Sequence, residues 1–207
     1  MTGRFITFEG GEGAGKSTQG GRLAARLKGL GETVVSTREP GGSPGAEAIR
    51  GLLVEGGTDR WSPMAETLLN FAARQDHLRK TIKPALNGGA WVLCDRFADS
   101  TVAYQGHGHR MGAKVVEDLW DFVIEGFKPD RTIILDLPVE VGLARAMARG
   151  DGEDRYERMG RDFHERIRQG FLDIAAKHPN RCRLIDATGT EDQVETAIMA
   201  ALDDLLP

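Results

Sequence analysis

Gly10-Gly11-Glu12-Gly13-Ala14-Gly15-Lys16-Ser17 satisfies the pattern G-x-x-x-x-G-K-[ST] and is followed by Thr18. Glycines at this spacing let successive backbone N–H groups turn inward around a phosphate, and the positive end of the helix that follows adds to the grip. Lys16 is expected to reach the β/γ-phosphate oxygens and the Ser17 hydroxyl to take one position on a Mg²⁺ ion. The pattern predicts binding of a nucleoside triphosphate. A second constellation, Trp91-Val92-Leu93-Cys94-Asp95-Arg96-Phe97, is an apolar run ending in an acid–base pair. If the run is a strand of a parallel sheet, its carboxyl end faces the ligand crevice. Asp95 is then placed to hold the metal's water shell or orient an acceptor, and Arg96 to fork onto phosphate oxygens.

Those residues need a scaffold. Short β-branched runs at Phe5 to Phe8, Thr33 to Thr37, Trp91 to Cys94, Thr132 to Leu135 and Arg183 to Ile185 alternate with stretches of helical periodicity. The alternation predicts an α/β fold, a five-stranded parallel sheet with helices on both faces. Helices are expected over Lys16 to Leu30, Pro44 to Val54, Pro63 to Leu86, Lys114 to Glu125, Val139 to Arg149, Phe163 to Lys177 and Glu191 to Leu206. Ser62 before Pro63 reads as an N-cap, Thr190 with Gln193 as a capping box, and Gly88-Gly89 as a helix stop. The first strand runs straight into the glycine loop and the first helix out of it, which is the context the phosphate-binding pattern requires.

With 207 residues the chain is expected to form one domain with a core sufficient for independent folding. A formal net charge of −4 argues against a protein held to nucleic acid or anionic lipid by bulk charge, so phosphate binding must come from local clusters. No apolar segment approaches the 18 or so residues of a membrane span, and the amino terminus lacks the features of a targeting peptide. Cys94 and Cys182 sit in apolar runs and read as small buried hydrophobes, so a reducing cytoplasm is the expected location. A guanine-specific switch would carry an Asn-Lys-x-Asp base reader, which the sequence lacks. A small chain with a charged, glycine-punctuated flap at Arg149 to Arg155 instead suggests phosphoryl transfer to a small acceptor.

Further motifs sharpen this. Thr37-Arg38-Glu39-Pro40-Gly41-Gly42, Phe71-Ala72-Ala73-Arg74, Ile82-Lys83-Pro84-Ala85-Leu86, Asp95-Arg96-Phe97, Ser100-Thr101-Val102-Ala103-Tyr104-Gln105-Gly106, Pro129-Asp130, Leu135-Asp136 and Asp154-Arg155 accompany the phosphate loop. Together they resemble the thymidylate kinase family, which phosphorylates dTMP to dTDP with ATP and Mg²⁺. The resemblance runs over most of the chain and implies a P-loop NTPase fold with a short lid at about 149–161. It also implies a homodimer formed by helix packing.

Phe71 and Arg74 lie three apart and so share a helix face, offering a ring to stack on a base and a guanidinium to donate to a base carbonyl. Pro40 lies in a rigid turn that lets backbone approach the acceptor, with Arg38 and Arg50 as candidate phosphate contacts. By resemblance, Ser100, Thr101, Tyr104 and Gln105, read as polar loop residues, contact the thymine edge and deoxyribose, and Glu12 lies near the acceptor's sugar and phosphate. Arg145, with Arg149 one turn later, and Asp186-Ala187-Thr188 frame the adenine on the same basis. Transfer to an acceptor phosphate needs no strong base, so none of the five histidines is assigned a chemical role. The phosphate loop itself contains no arginine, which leaves Arg149, Arg155, Arg158 and Arg161 as donors to the transition state. Arg155 is the favoured one because Asp154-Arg155-Tyr156-Glu157 resembles the lid of bacterial members. A kinase for another small acceptor and a non-catalytic ATP-binding regulatory module are the competing readings.

Overall fold

The computed structural model describes residues 3–149 and 155–206. Strands β1 (Arg4–Gly10), β2 (Val34–Arg38), β3 (Trp91–Asp95), β4 (Arg131–Asp136) and β5 (Cys182–Asp186) form one parallel sheet in the order β2-β3-β1-β4-β5. Helices α1 (Lys16–Gly29), α2 (Pro44–Val54) and α3 (Pro63–His77) come first. A π-helical turn at Leu78–Ile82 then carries α3 directly into α4 (Lys83–Asn87). Next come α5 (Ala98–Thr101), α6 (Ala113–Ile124), α7 (Val139–Arg149), α8 (Arg161–Lys177) and α9 (Glu191–Leu202). The fold class and the five strands agree with the sequence reading.

The period-two alternation of strand side chains divides the core. Phe5, Val92, Cys94 and Ile134 face one apolar layer with Phe97, Trp120 and Phe171, while Ile6, Phe8, Leu93 and Leu135 face another with Leu23, Leu27 and Ile198. On β1, Thr7 and Glu9 share the face of Phe5, so this central strand aims a carboxylate at the side where α5 packs. β1 also delivers the phosphate loop at its carboxyl end, between its neighbours β3 and β4.

The predicted caps form. Ser62 Oγ accepts from Ala65 N, and Thr190 and Gln193 exchange both bonds of a capping box. Gly88 follows the last residue of α4. Helix α9 stops at Leu202 rather than Leu206, and beyond it Asp204 accepts two bonds from Arg131. The larger correction concerns residues 98–108, expected as a loop. They are helical, α5 continuing into a π-helical turn at Val102–Gly108. Tyr104 and Gln105, consecutive in this turn, both line the cleft.

Candidate active site

The carboxyl ends of β1, β2 and β3 open into a cleft of about 360 Å³ lined by Glu12 to Thr18 on one side. Arg38, Pro40, Arg50, Asn70, Arg74, Asp95, Arg96, Ser100, Thr101, Tyr104 and Gln105 line the other.

On the phosphate-loop side, Gly10, Gly13 and Gly15 have φ of 136°, 65° and 92°, the left-handed backbone that glycine tolerates. Gly13 also meets α7 backbone to backbone: a Cβ there would lie 2.1 Å from the Gly142 oxygen and 3.1 Å from the Arg145 Cβ. Arg145 thus lies against the loop. Lys16 Nζ donates to the carbonyls of Gly11 at 2.8 Å and Gly10 at 3.3 Å. Burial first, then the Arg96 charge, lower its pKa to about 8, with Asp95, Glu12 and Glu9 opposing. Ser17 Oγ donates to Asp95 Oδ2 at 2.5 Å, so the two residues expected at a metal stand together. A hydroxyl and a carboxylate beside a phosphate loop form a hard oxygen donor pair. That pair fits Mg²⁺, which takes the rest of its shell from phosphates and water. Among the described residues no cluster of three or more His, Cys, Asp or Glu forms an all-protein metal site.

On the other side, Arg96 adopts φ of 67°, uncommon for a residue with a side chain. Its N–H donates to the Phe8 carbonyl at 2.9 Å, and the next N–H, of Phe97, donates to Glu9 Oε1 at 2.8 Å. Glu9 Oε2 accepts from Ser100 Oγ at 2.5 Å. Burial and the nearby Asp99 charge push the Glu9 carboxyl up to about 8, against these hydrogen bonds. The turn aims the Arg96 guanidinium over the Tyr104 ring, with Cζ 4.9 Å from the centroid. There it donates to Gly10 O at 3.1 Å, Ser100 Oγ at 3.2 Å and Glu12 Oε1 at 3.1 Å. Tyr104 OH also donates to Glu12 Oε1, at 2.6 Å. Burial alone would raise the Glu12 pKa, but Arg96, Lys16 and the Tyr104 bond outweigh it and hold the carboxylate at about 2. Lys16 and Arg96 therefore converge on one carbonyl, that of Gly10.

Deeper in the cleft Arg74, 2% exposed, donates to Glu39 Oε2 at 2.7 Å, Phe97 O at 3.0 Å and Thr101 Oγ1 at 3.1 Å. Its remaining nitrogen, Nη1, is buried without an acceptor among the described residues, on a side chain that lines the cleft. His77 braces Glu39 through Nδ1 at 3.0 Å and meets Thr37 Oγ1 through Nε2 at 2.7 Å. Gly42 packs on this brace, where a Cβ would lie 2.3 Å from His77 Nε2. Arg50 donates to Pro40 O at 2.7 Å, and Arg38 pairs with Glu47.

Two expectations are corrected. Phe71 does not line the cleft: Arg74 lies across its face, Cζ 4.9 Å from the centroid, and the ring is 1% exposed in the core. Arg155 does not face the phosphate loop: it is fully buried against Glu66 and the segment after α2. Residues 150–154 of the expected flap lie outside the described residues, and Arg149 is placed only as the last residue of α7. After β5, Asp186 caps its own turn by accepting from Thr188 N.

The sequence reading missed Glu9, Glu39, Glu66 and His77 as site-shaping groups. A signal existed. Glu9 continues the alternation of Phe5 and Thr7, and Glu66, Asn70 and Arg74 form a polar stripe at i, i+4, i+8 on a helix otherwise read as core.

A phosphate loop at the end of the central strand, facing a second cationic pocket across one cleft, defines a P-loop phosphotransferase with a nucleotide-sized acceptor. The thymidylate kinase family model matches residues 8–198. A thymidylate kinase of Caulobacter vibrioides is 60% identical over 196 residues, covering 95% of this chain and 94% of its own. One from Rhizorhabdus wittichii is 50% identical over 208 residues, the full length of both. The crystal structure of the Ehrlichia chaffeensis thymidylate kinase, 36% identical, superposes with a TM-score of 0.78 over 98% of this chain and 99% of that one. The chain belongs to the thymidylate kinase family.

Proposed function

We propose that the chain transfers the terminal phosphoryl group of ATP to dTMP, releasing ADP and dTDP. The carrying observation is the meeting of Lys16 Nζ and Arg96 Nη1 on the Gly10 carbonyl, which joins a triphosphate site to an acceptor-phosphate site. A dTMP phosphate oxygen attacks the γ-phosphorus, and the bond from that phosphorus to the β–γ bridging oxygen breaks. The attacking oxygen is already anionic at neutral pH, so no base is required, and positioning with charge neutralisation does the work.

Lys16 exchanges the Gly10 and Gly11 carbonyls for β/γ oxygens, while the loop N–H groups and the start of α1 hold the β-phosphate. Arg96, kept charged by Glu12, Asp95 and Glu9 against its burial, holds the acceptor phosphate. Arg38 and Arg50 stand at the same cleft. Arg74 Nη1 finds its acceptor on the base, with Thr101, Tyr104 and Gln105 around the nucleoside. Ser17 and Asp95 would hold Mg²⁺, which when bound screens the phosphate charge. Arg145 and the turn at Asp186 border the adenine.

The active unit is a homodimer. Its support is an exposed apolar face: Met64 and Leu68 on α3, four apart, and Val115 and Phe122 on α6, seven apart, with Phe122 85% exposed. A reducing cytoplasm suits the two free buried thiols, Cys94 and Cys182. The decisive assay offers dTMP, dUMP, AMP and shikimate separately with ATP and measures ADP release. Turnover greatest with dTMP and yielding dTDP is expected; no turnover with dTMP would refute the assignment.

A further inference from the structure

Arg155 lies just past the expected flap, yet its guanidinium is fully used elsewhere. Nε donates to Gly57 O at 3.0 Å, Nη1 to Leu53 O at 3.1 Å and Nη2 to Thr58 O at 3.4 Å, and Nη2 also pairs with Glu66 Oε2 at 2.5 Å. Arg158 adds a bond to Gly56 O at 2.8 Å. These carbonyls belong to the end of α2 and the turn leading to α3. The turn's residues Gly56 and Gly57 are exposed, and the two arginines tie its carbonyls down to the body of the protein.

Glu66 is as buried as its partner, and its other oxygen accepts from Gln105 Nε2 at 2.7 Å, with His109 Nε2 at 3.3 Å. Gln105 lines the cleft, and so do Val54 and Arg50 at the held end of α2 and Tyr156, over whose ring the Arg155 guanidinium sits at 5.2 Å. Both ends of the ion pair therefore act on the acceptor wall. For Arg155 to follow a transferring phosphoryl group it would have to abandon three carbonyls and leave the Glu66 carboxylate buried and unpaired, an arrangement that is strongly disfavoured.

We infer that Arg155 and Glu66 are positioning residues: a buried clamp that fixes the α2–α3 turn and the Gln105 side chain, and through them the shape of the dTMP pocket. The clamp acts through other residues and touches no reacting atom. Its meaning for dTMP rests on the function proposed above.

The test compares Arg155→Met, Glu66→Gln and the double variant with wild type. It uses calorimetric binding of dTMP and ATP, steady-state kcat and KM, and hydrogen exchange of the amides at 53–60. Each single variant should weaken dTMP binding on the order of ten- to hundredfold, as misplacement of positioning groups does. ATP binding should stay within about twofold and kcat at saturating dTMP within about threefold, because no donor-side contact is removed. Exchange at 53–60 should rise, and the double variant should bind dTMP no worse than the weaker single, because the pair acts as one unit.

A kcat loss beyond about a hundredfold in Arg155→Met with dTMP affinity unchanged would overturn the clamp and return Arg155 to the transition state. Multiplying effects in the double variant, or wild-type dTMP affinity in it, would overturn it too. If a single variant fails to fold, the double variant, which leaves no buried charge unpaired, carries the measurement. Absence of dTMP turnover by wild type strikes the function proposal alone, since exchange at 53–60 judges the clamp without substrate.

Discussion

The two walls of the cleft are built differently. The donor wall is one unbroken stretch, residues 10–18, and works through backbone N–H groups, one lysine and the start of α1. The acceptor wall draws on five segments, after β2, along α2, along α3, after β3 and before α8. Its side chains are locked by charge pairs: Arg74 with Glu39 and Arg155 with Glu66, both buried, and Arg96 with Glu12, partly buried. A phosphate is a generic anion that a helix start and a curl of backbone can grip in any sequence context. A particular base has to be met by donors at fixed positions, and a long cationic side chain keeps a fixed position only when its other donors are tied down. The donor wall is thus compact in sequence and general in chemistry, while the acceptor wall is dispersed and specific.

The comparison breaks most visibly at Arg74. Arg74→Ala removes the donor proposed to meet the base and leaves the buried Glu39 carboxylate with His77 as its remaining side-chain partner. We expect kcat/KM for dTMP to fall about a hundredfold, as loss of a buried charged donor does. Stability should drop by about 3 kcal/mol, the usual cost of breaking a buried pair. ATP affinity, measured by calorimetry on the folded variant, should not move. A variant that keeps dTMP turnover would remove Arg74 from the pocket.

The same contrast explains what was legible in the sequence. The donor wall could be read almost completely, because its residues are contiguous and each has a fixed task. The strands and caps were legible for a similar reason, since alternation, Ser62-Pro63 and Thr190/Gln193 are local signals. Acceptor residues emerged through motif resemblance, but the partners of those residues did not. Glu39 sat inside the Arg-Glu-Pro-Gly-Gly motif without a role, and His77 was given none because the transfer needs no strong base. Its partners Thr37 and Glu39 lie about forty positions away in sequence and meet it only in the fold. Arg155 was assigned to the transition state because Asp154-Arg155-Tyr156-Glu157 resembles a lid, a likeness that carries no information about what the side chain packs against. Only the packing of the α2–α3 turn reveals that four acceptors, three carbonyls and one buried carboxylate, claim its guanidinium.

Glycines give a smaller, structural version of the comparison. Gly42, on the acceptor side, has φ of 82° and no room: a Cβ would lie 2.3 Å from His77 Nε2 and 2.4 Å from Thr37 Oγ1. Gly42→Ala should therefore cost about 2–3 kcal/mol in denaturant unfolding, from overpacking and left-handed strain together. Gly11, on the donor side, has open space where a Cβ would sit and an ordinary φ. Gly11→Ala should stay within about 0.5 kcal/mol of wild type. Equal losses in the two variants would show that the acceptor brace is less rigid than its contacts suggest.

The smallest expected effect separates the walls by pH. Lys16 works as a cation, and with its pKa at about 8 in the free protein the charged fraction falls as pH rises through that value. From pH 7 to 9, kcat/KM for ATP should thus fall about tenfold, since this parameter reports the free enzyme. At saturating ATP the bound triphosphate keeps Lys16 charged, and the acceptor wall has little to lose. Glu12 is already ionised, with its pKa at about 2, and Arg96 stays protonated, so kcat/KM for dTMP should be nearly flat. Glu9 titrates in the same window, at about 8, but its negative charge raises the Lys16 pKa rather than lowering it. Glu9→Gln keeps an acceptor for Phe97 N and removes that charge. Its ATP profile should therefore turn over at lower pH than wild type, and a shift to higher pH would mean that Glu9, not Lys16, sets the limb.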